Sequence, residues 1–171
     1  MHKRDLLIAP AGEAFLILIA ALAGWLARQP LIFASLGPTA YELIETPHRR
    51  SARPYSILIG HLTGIAAAWL ALFLTHAWTA GPVSAAGVPM ARIWAAVIAA
   101  AITTFVTLLL RASQPAAIAT SLLIATGLMQ TPRDAALIMA AVVLMILCGE
   151  PIRRWRLSEQ KKRGETRDER G

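Results

Sequence analysis

The run Ser35-Leu36-Gly37-Pro38-Thr39 interrupts an apolar segment with residue types suited to holding a small anion. Pro38 cannot donate a backbone hydrogen bond and is welcome in the first turn of a helix, with Gly37 tolerated at the cap. A helix restarting there would point the free N–H groups of Thr39, Ala40 and Tyr41 into the interior. Such an end carries about half a positive charge and binds anions readily. Gln114-Pro115 can open a second helix in the same manner, and Ser35, Thr39, Thr120 and Ser121 add hydroxyl donors. The competing reading is a proline kink whose freed carbonyls are satisfied by neighbouring Ser and Thr.

His61, in Gly60-His61-Leu62-Thr63-Gly64, is several residues inside another apolar segment. An ionisable group there is expensive, so it faces a bundle interior or a water-filled path. Its titration range suits proton coupling or an anion counter-charge, against the plainer reading of a neutral ring bonded to a helix carbonyl. Glu42 is the deeper of two glutamates, placed to pair with His61 or a cation, while Glu45 reaches the headgroups beside Arg49 and Arg50. Thr103 and Thr107 share a helix face and are expected to bond back to their own helix. No nucleophile–base pair, metal spacing or phosphate loop is present, so no enzyme activity, metal or cofactor is expected. His2, His48, His61 and His76 are scattered, and the single cysteine, Cys148, makes no disulfide or cysteine cluster.

The elements that must position these residues are membrane segments. Of the 171 residues 56% are hydrophobic and 16% charged, against about a quarter charged in soluble domains. No Lys, Arg, Asp or Glu occurs from Tyr55 to Ala91, Ile93 to Leu110, Ala112 to Pro132 or Ala135 to Gly149. A spanning helix needs about 20 such residues, because its backbone must satisfy itself in lipid. Six segments follow, at about 11–27, 30–45, 55–75, 92–110, 115–130 and 134–151. The second and fifth are short and carry a repeat: residues 29–47 and 114–132 both open with Gln-Pro and close with Thr-Pro, with Ala34 matching Ala119, Ala40 Ala125 and Leu43 Leu128. Duplicated, short, Pro-interrupted apolar segments point to a transporter's binding site.

Charge sets the expected topology. If all six segments cross, fourteen of the seventeen Lys and Arg fall on the side of the termini, and Arg28, Arg92 and Arg133 on the other. Re-entrant short segments would give eleven against six, so the positive-inside rule favours six crossings with both termini cytoplasmic. Each unit, roughly 11–75 and 92–151, then has three spans, which makes the halves antiparallel. The expected architecture is an all-α polytopic membrane bundle, an inverted 3+3 repeat within an integral membrane domain 1–152. Residues 153–171 form a basic cytoplasmic tail, disordered or a helical extension. That tail carries eight of the cations among Glu159, Glu165, Asp168 and Glu169. It reads as a topology signal and lipid contact, which accounts for the net charge of +7 without nucleic acid. Pro10 and Glu13 between the first charges and the apolar run argue against a cleaved signal. Gly60, Gly64 and Ala68 form a small-residue ridge for close helix approach, within the chain or in a homo-oligomer.

Phe33-Ala34-Ser35-Leu36-Gly37-Pro38-Thr39-Ala40, Glu45-Thr46-Pro47, Ser51, Arg53-Pro54 and Gly60-His61-Leu62-Thr63-Gly64 together resemble the HPP family of small integral membrane proteins. The run Gln114-Pro115-Ala116-Ala117-Ile118-Ala119-Thr120, ending at Ala125-Thr126-Gly127, is similar to the region around that family's His-Pro-Pro, and the resemblance covers about residues 28–151. It implies four or more spans and, from chloroplast and cyanobacterial members associated with nitrite transport, a small-anion permease. Ser113-Gln114-Pro115 stands where the family has His-Pro-Pro, so no role of that histidine carries over. The expectation is passage of a small inorganic anion across a bacterial inner membrane, at a site of Ser35, Gly37, Pro38, Thr39, His61, Gln114, Pro115 and Thr120. The alternative is a membrane scaffold or assembly protein whose Gly and Ala faces pack against other helices.

Overall fold

The computed structural model describes residues 5–168, and among these it is entirely helical. Seven helices follow in order: α1 (Asp5–Ala27), α2 (Leu36–Ile44), α3 (Pro54–Leu74), the single turn α4 (Val83–Ala86), α5 (Met90–Leu109), α6 (Pro115–Ala125) and α7 (Pro132–Asp168). Four stretches are long and apolar enough to cross a membrane: Leu7–Ala27, Pro54–Leu74, Met90–Leu109 and Pro132–Lys161. Twenty-one helical residues rise about 31 Å, the thickness of a hydrocarbon core.

The two repeat copies supply the short helices, nine residues in α2 and eleven in α6. Their ends are fixed by local chemistry. Pro115 opens α6, where its missing N–H is no loss, and the Gln114 side chain accepts from the Ala116 N–H at 3.2 Å. Gly127, at φ +85°, closes it: the Gly127 and Leu128 N–H groups bond back to Ile124 and Leu123, the doubled bond of a glycine-terminated helix. Beginning at Leu36, α2 places Pro38 within the first turn instead of at its first position. The residues before it run as irregular chain and a turn.

α6 lies in the groove between α3 and α5, and α2 packs on α1 and α7. The close approach of α6 to α3 depends on missing side chains. A Cβ on Gly64 would stand 2.5 Å from the Ala117 carbonyl oxygen, and one on Gly60 2.8 Å from Gln114 Cβ. Ala68 is fully buried on the same helix. The Gly60, Gly64, Ala68 ridge is therefore taken up inside the chain, the first of the two uses expected for it.

Hydrogen bonds tie the helix ends into two groups. Arg133 donates to Gln29, Trp69 to the Gln130 carbonyl and Arg92 to Gln130, which gathers the ends of α1 and α3 with the starts of α5 and α7. At the other end Arg153 donates to the Pro47 carbonyl, Arg156 to the Ile44 carbonyl and Tyr55 to the Leu110 carbonyl. Exposed aromatics mark both ends: Trp25, Trp78 and Trp94 near the first, Tyr41, Tyr55 and Trp155 near the second. Amphipathic rings of this kind settle at the headgroup level. Between them the outer surface carries Phe15, Phe73, Phe105 and Leu147, each more than half exposed, as lipid contact requires and water would penalise.

α7 continues without a break through Pro151 to Asp168, so the basic tail begins as a helical extension. Glu150 pairs with Arg153 and Arg154 one turn on, spacing that supports a helix. Arg153 and Arg156 reach back to the end of α2, which places the tail's first turn against the bundle.

Candidate functional site

On α2 and its cap, Ser35, Thr39 and Glu42 recur at four and then three residues and so share one face. All three are buried, while Gly37, Pro38 and Tyr41 are exposed on the other side. The buried face meets His61 of α3 and Gln114 of the α6 segment, in which Thr120 and Ser121 are also buried.

His61 is the centre. Its Nδ1 lies 2.7 Å from the Thr120 hydroxyl, and its Nε2 lies 3.2 Å from the Thr39 hydroxyl. Each threonine also bonds back along its own helix: Thr39 donates to the Ser35 carbonyl at 2.9 Å, Thr120 to the Ala116 carbonyl at 3.2 Å. One fully buried imidazole thus joins three helices, including both short ones. The expected pairing of Glu42 with His61 does not form, because both ring nitrogens are taken. The polar neighbours of the Glu42 carboxyl are Ser51 and Gln114, with Arg49 further out.

Three buried polar atoms here have no hydrogen-bond partner: Ser35 Oγ, Glu42 Oε2 and Gln114 Nε2. Buried groups of this kind are normally satisfied, and each exception calls for an explanation. All three belong to the repeat copies, and Gln114 packs directly on Gly60, the residue before His61.

Of the eight residues expected at the site, the fold brings five inside: Ser35, Thr39, His61, Gln114 and Thr120. Gly37, Pro38 and Pro115 are exposed and face outward. The reason is helical phase. Starting α2 at Leu36 puts the N–H groups of Thr39, Ala40 and Tyr41 inside a continuing helix, and the Leu36 N–H bonds to the Phe33 carbonyl. In α6 the Ala116 and Ala117 N–H groups are both taken by Gln114, through its side chain and its carbonyl. Side chains, not free helix ends, make this interior polar. Thr103 and Thr107 bond to their own helix as expected. Among the described residues no group of His, Cys, Asp or Glu is placed to hold a metal.

Arg92, expected on the outer side at the start of the fourth segment, is buried by the fold. Its guanidinium donates to the carbonyls of Ala80, Gly81 (3.3 Å) and Ala125 (3.1 Å) and to Gln130 Oε1 (2.9 Å). The Ala125 carbonyl is the C-terminal end of α6, where a cation is favoured. Arg156 does the same for α2, donating to the Ile44 carbonyl at 3.1 Å. Both short helices therefore end on a buried arginine. The signal available for Arg92 was its isolation as the one charge between Tyr55 and Leu110.

No curated protein and no solved structure matches the chain. The model of the HPP transmembrane region matches residues 1–159, and the chain, an integral membrane protein, belongs to the HPP family.

Proposed function

We propose that this protein passes a small inorganic anion of the nitrite type across a bacterial plasma membrane, along the seam where α2, α3 and α6 meet. The observation that carries the reading is His61 held between Thr39 and Thr120, in an interior with further unpartnered donors on Ser35 and Gln114. A small anion in a low-dielectric interior needs N–H and O–H groups in place of water. Hydroxyls, an amide and an imidazole supply those. The family's association with nitrite transport agrees with this choice of ion.

The seam serves as a path if the short segments cross. In support, Gln29 is tied to Arg133 and Pro47 to Arg153. The chain from 29 to 47 thus covers the depth that twenty residues of α7 cover, about 30 Å. The chain of the second copy likewise runs from just after Leu110, beside Tyr55, to Gln130, beside Arg92. These ties agree with six crossings in two antiparallel units, with the termini, Ser51 and Arg111 cytoplasmic by the positive-inside rule. If copies assemble into a homo-oligomer, they use a face other than the Gly60 ridge.

The test is ion flux in liposomes carrying the purified protein. Uptake of nitrite or nitrate above that of protein-free vesicles is expected. Leak-level uptake of both, with the protein folded, would leave the scaffold reading in possession.

A further inference from the structure

We propose that the proton is the second ligand of this seam: His61 binds it, and the anion moves with it as an electroneutral pair. The inference rests on the anion-passage reading and adds the coupling. It follows from counting hydrogens. Four contacts surround His61: Nδ1 to Thr120 Oγ1, Nε2 to Thr39 Oγ1, Thr39 Oγ1 to the Ser35 carbonyl, and Thr120 Oγ1 to the Ala116 carbonyl. A neutral imidazole carries one N–H and the two hydroxyls one hydrogen each, too few for all four. Protonated, the ring donates from both nitrogens, each hydroxyl keeps its bond to its own helix, and every contact is filled.

The two states therefore differ in the direction of one hydrogen bond at His61. When the proton leaves, one threonine must turn its hydroxyl to the bare nitrogen and release a backbone carbonyl, Ser35 on the α2 side or Ala116 on the α6 side. The charged state puts a buried positive centre beside the donors of the seam, where an anion is attracted. The neutral state removes that attraction. One proton and one monovalent anion carry no net charge together, so the pair avoids the cost of moving an ion alone through the interior.

The surroundings leave this role to His61. α6 carries no titratable residue, and α5 carries Arg92 alone, which caps the far end of α6. On α3 itself Tyr55 is at the exposed start. On α7, Arg133 and Asp134 are at one end and Cys148, Glu150, Arg153, Arg154, Arg156, Glu159 and Lys161 towards the other. Arg49, Arg50 and Arg53 flank the loop before α3, and His76 follows its far end. α2 presents exposed Tyr41 and buried Glu42, the one carboxyl near the seam, a turn along from Thr39.

The experiment uses the full-length protein in vesicles containing a pH-sensitive dye, with an inward gradient of nitrite or nitrate and protein-free vesicles to subtract nitrous acid leak. Anion uptake with acidification of the lumen is expected, insensitive to an imposed membrane potential. His61→Gln, which keeps a donor and an acceptor but cannot charge, should lose at least tenfold of the acidification. Uptake without acidification, or acidification retained in His61→Gln, would overturn the coupling while leaving anion passage intact; absence of uptake by the wild type would instead remove the passage reading, and the coupling with it. Nitrogen NMR of histidine-labelled wild type in nanodiscs guards against a variant that fails to fold. Both His61 ring nitrogens should become protonated when the pH is lowered in the presence of nitrite or nitrate. A ring neutral throughout contradicts the proposal.

Discussion

His61 Nδ1 and the Thr120 hydroxyl stand 2.7 Å apart in the middle of the bundle, and this contact joins α3 to the second repeat copy. The same ring reaches Thr39 in the first copy, so the duplicated segments meet at a residue that belongs to neither.

Thr120→Val keeps the shape and removes the hydroxyl. Hydrogen bonds between membrane helices are worth about 0.6 kcal/mol on average and up to about 1.7 kcal/mol. A double-mutant cycle of Thr120→Val with His61→Gln, read by unfolding in detergent, should give a coupling energy in that range. Strict additivity would mean that the contact contributes nothing.

Glycine substitutions should separate packing from exposure. Gly64→Ala brings a methyl to 2.5 Å from the Ala117 carbonyl oxygen, and overpacking of this kind costs about 1–3 kcal/mol. Gly37→Ala meets nothing within 4 Å and should be neutral, or stabilise by about 0.4–1 kcal/mol. Thermal unfolding of the two variants side by side checks the order, and equal effects would contradict the α3–α6 contact.

Arg92 has a structural assignment that is open to direct test. Arg92→Met leaves the Ala80, Gly81 and Ala125 carbonyls without their donor, at about 1–3 kcal/mol each where no water reaches. A loss of about 3 kcal/mol or more is expected, with Arg92→Lys only partly restoring stability because an ammonium cannot reproduce the guanidinium fork. An Arg92→Met protein as stable as wild type would show that the guanidinium is not needed there.

Topology gives a fourth outcome. A reporter inserted at Ser51 should be cytoplasmic and one at Ser84 external, since the hydrogen bonds place these residues at opposite ends of the bundle. An external Ser51 would mean that the first repeat copy dips in and returns.

The helices and the buried hydroxyl face were legible in the sequence because they rest on local patterns: uncharged runs, Gly-Pro and Gln-Pro breaks, and Ser35, Thr39 and Thr120 near them. The phase of α2 was not. Proline is acceptable anywhere in a first turn, so Pro38 marked the region of the break but not the residue at which the helix starts. Two residues of phase turned Gly37 and Pro38 outward. Arg92 was missed for a different reason: its acceptors are carbonyls of Ala80, Gly81 and Ala125, which no sequence pattern identifies. The glycine ridge was visible as a packing device, but its partner, α6, follows about fifty residues later, and spacing alone could not name it.

The measurement that bears most directly on the seam is nitrite or nitrate uptake by liposomes carrying wild type, Thr39→Leu or His61→Leu, each confirmed folded. The account predicts uptake by wild type and at least a tenfold loss in both variants, because either leucine replaces the polar centre that joins α2, α3 and α6. Wild-type uptake that persists unchanged in both variants would contradict it.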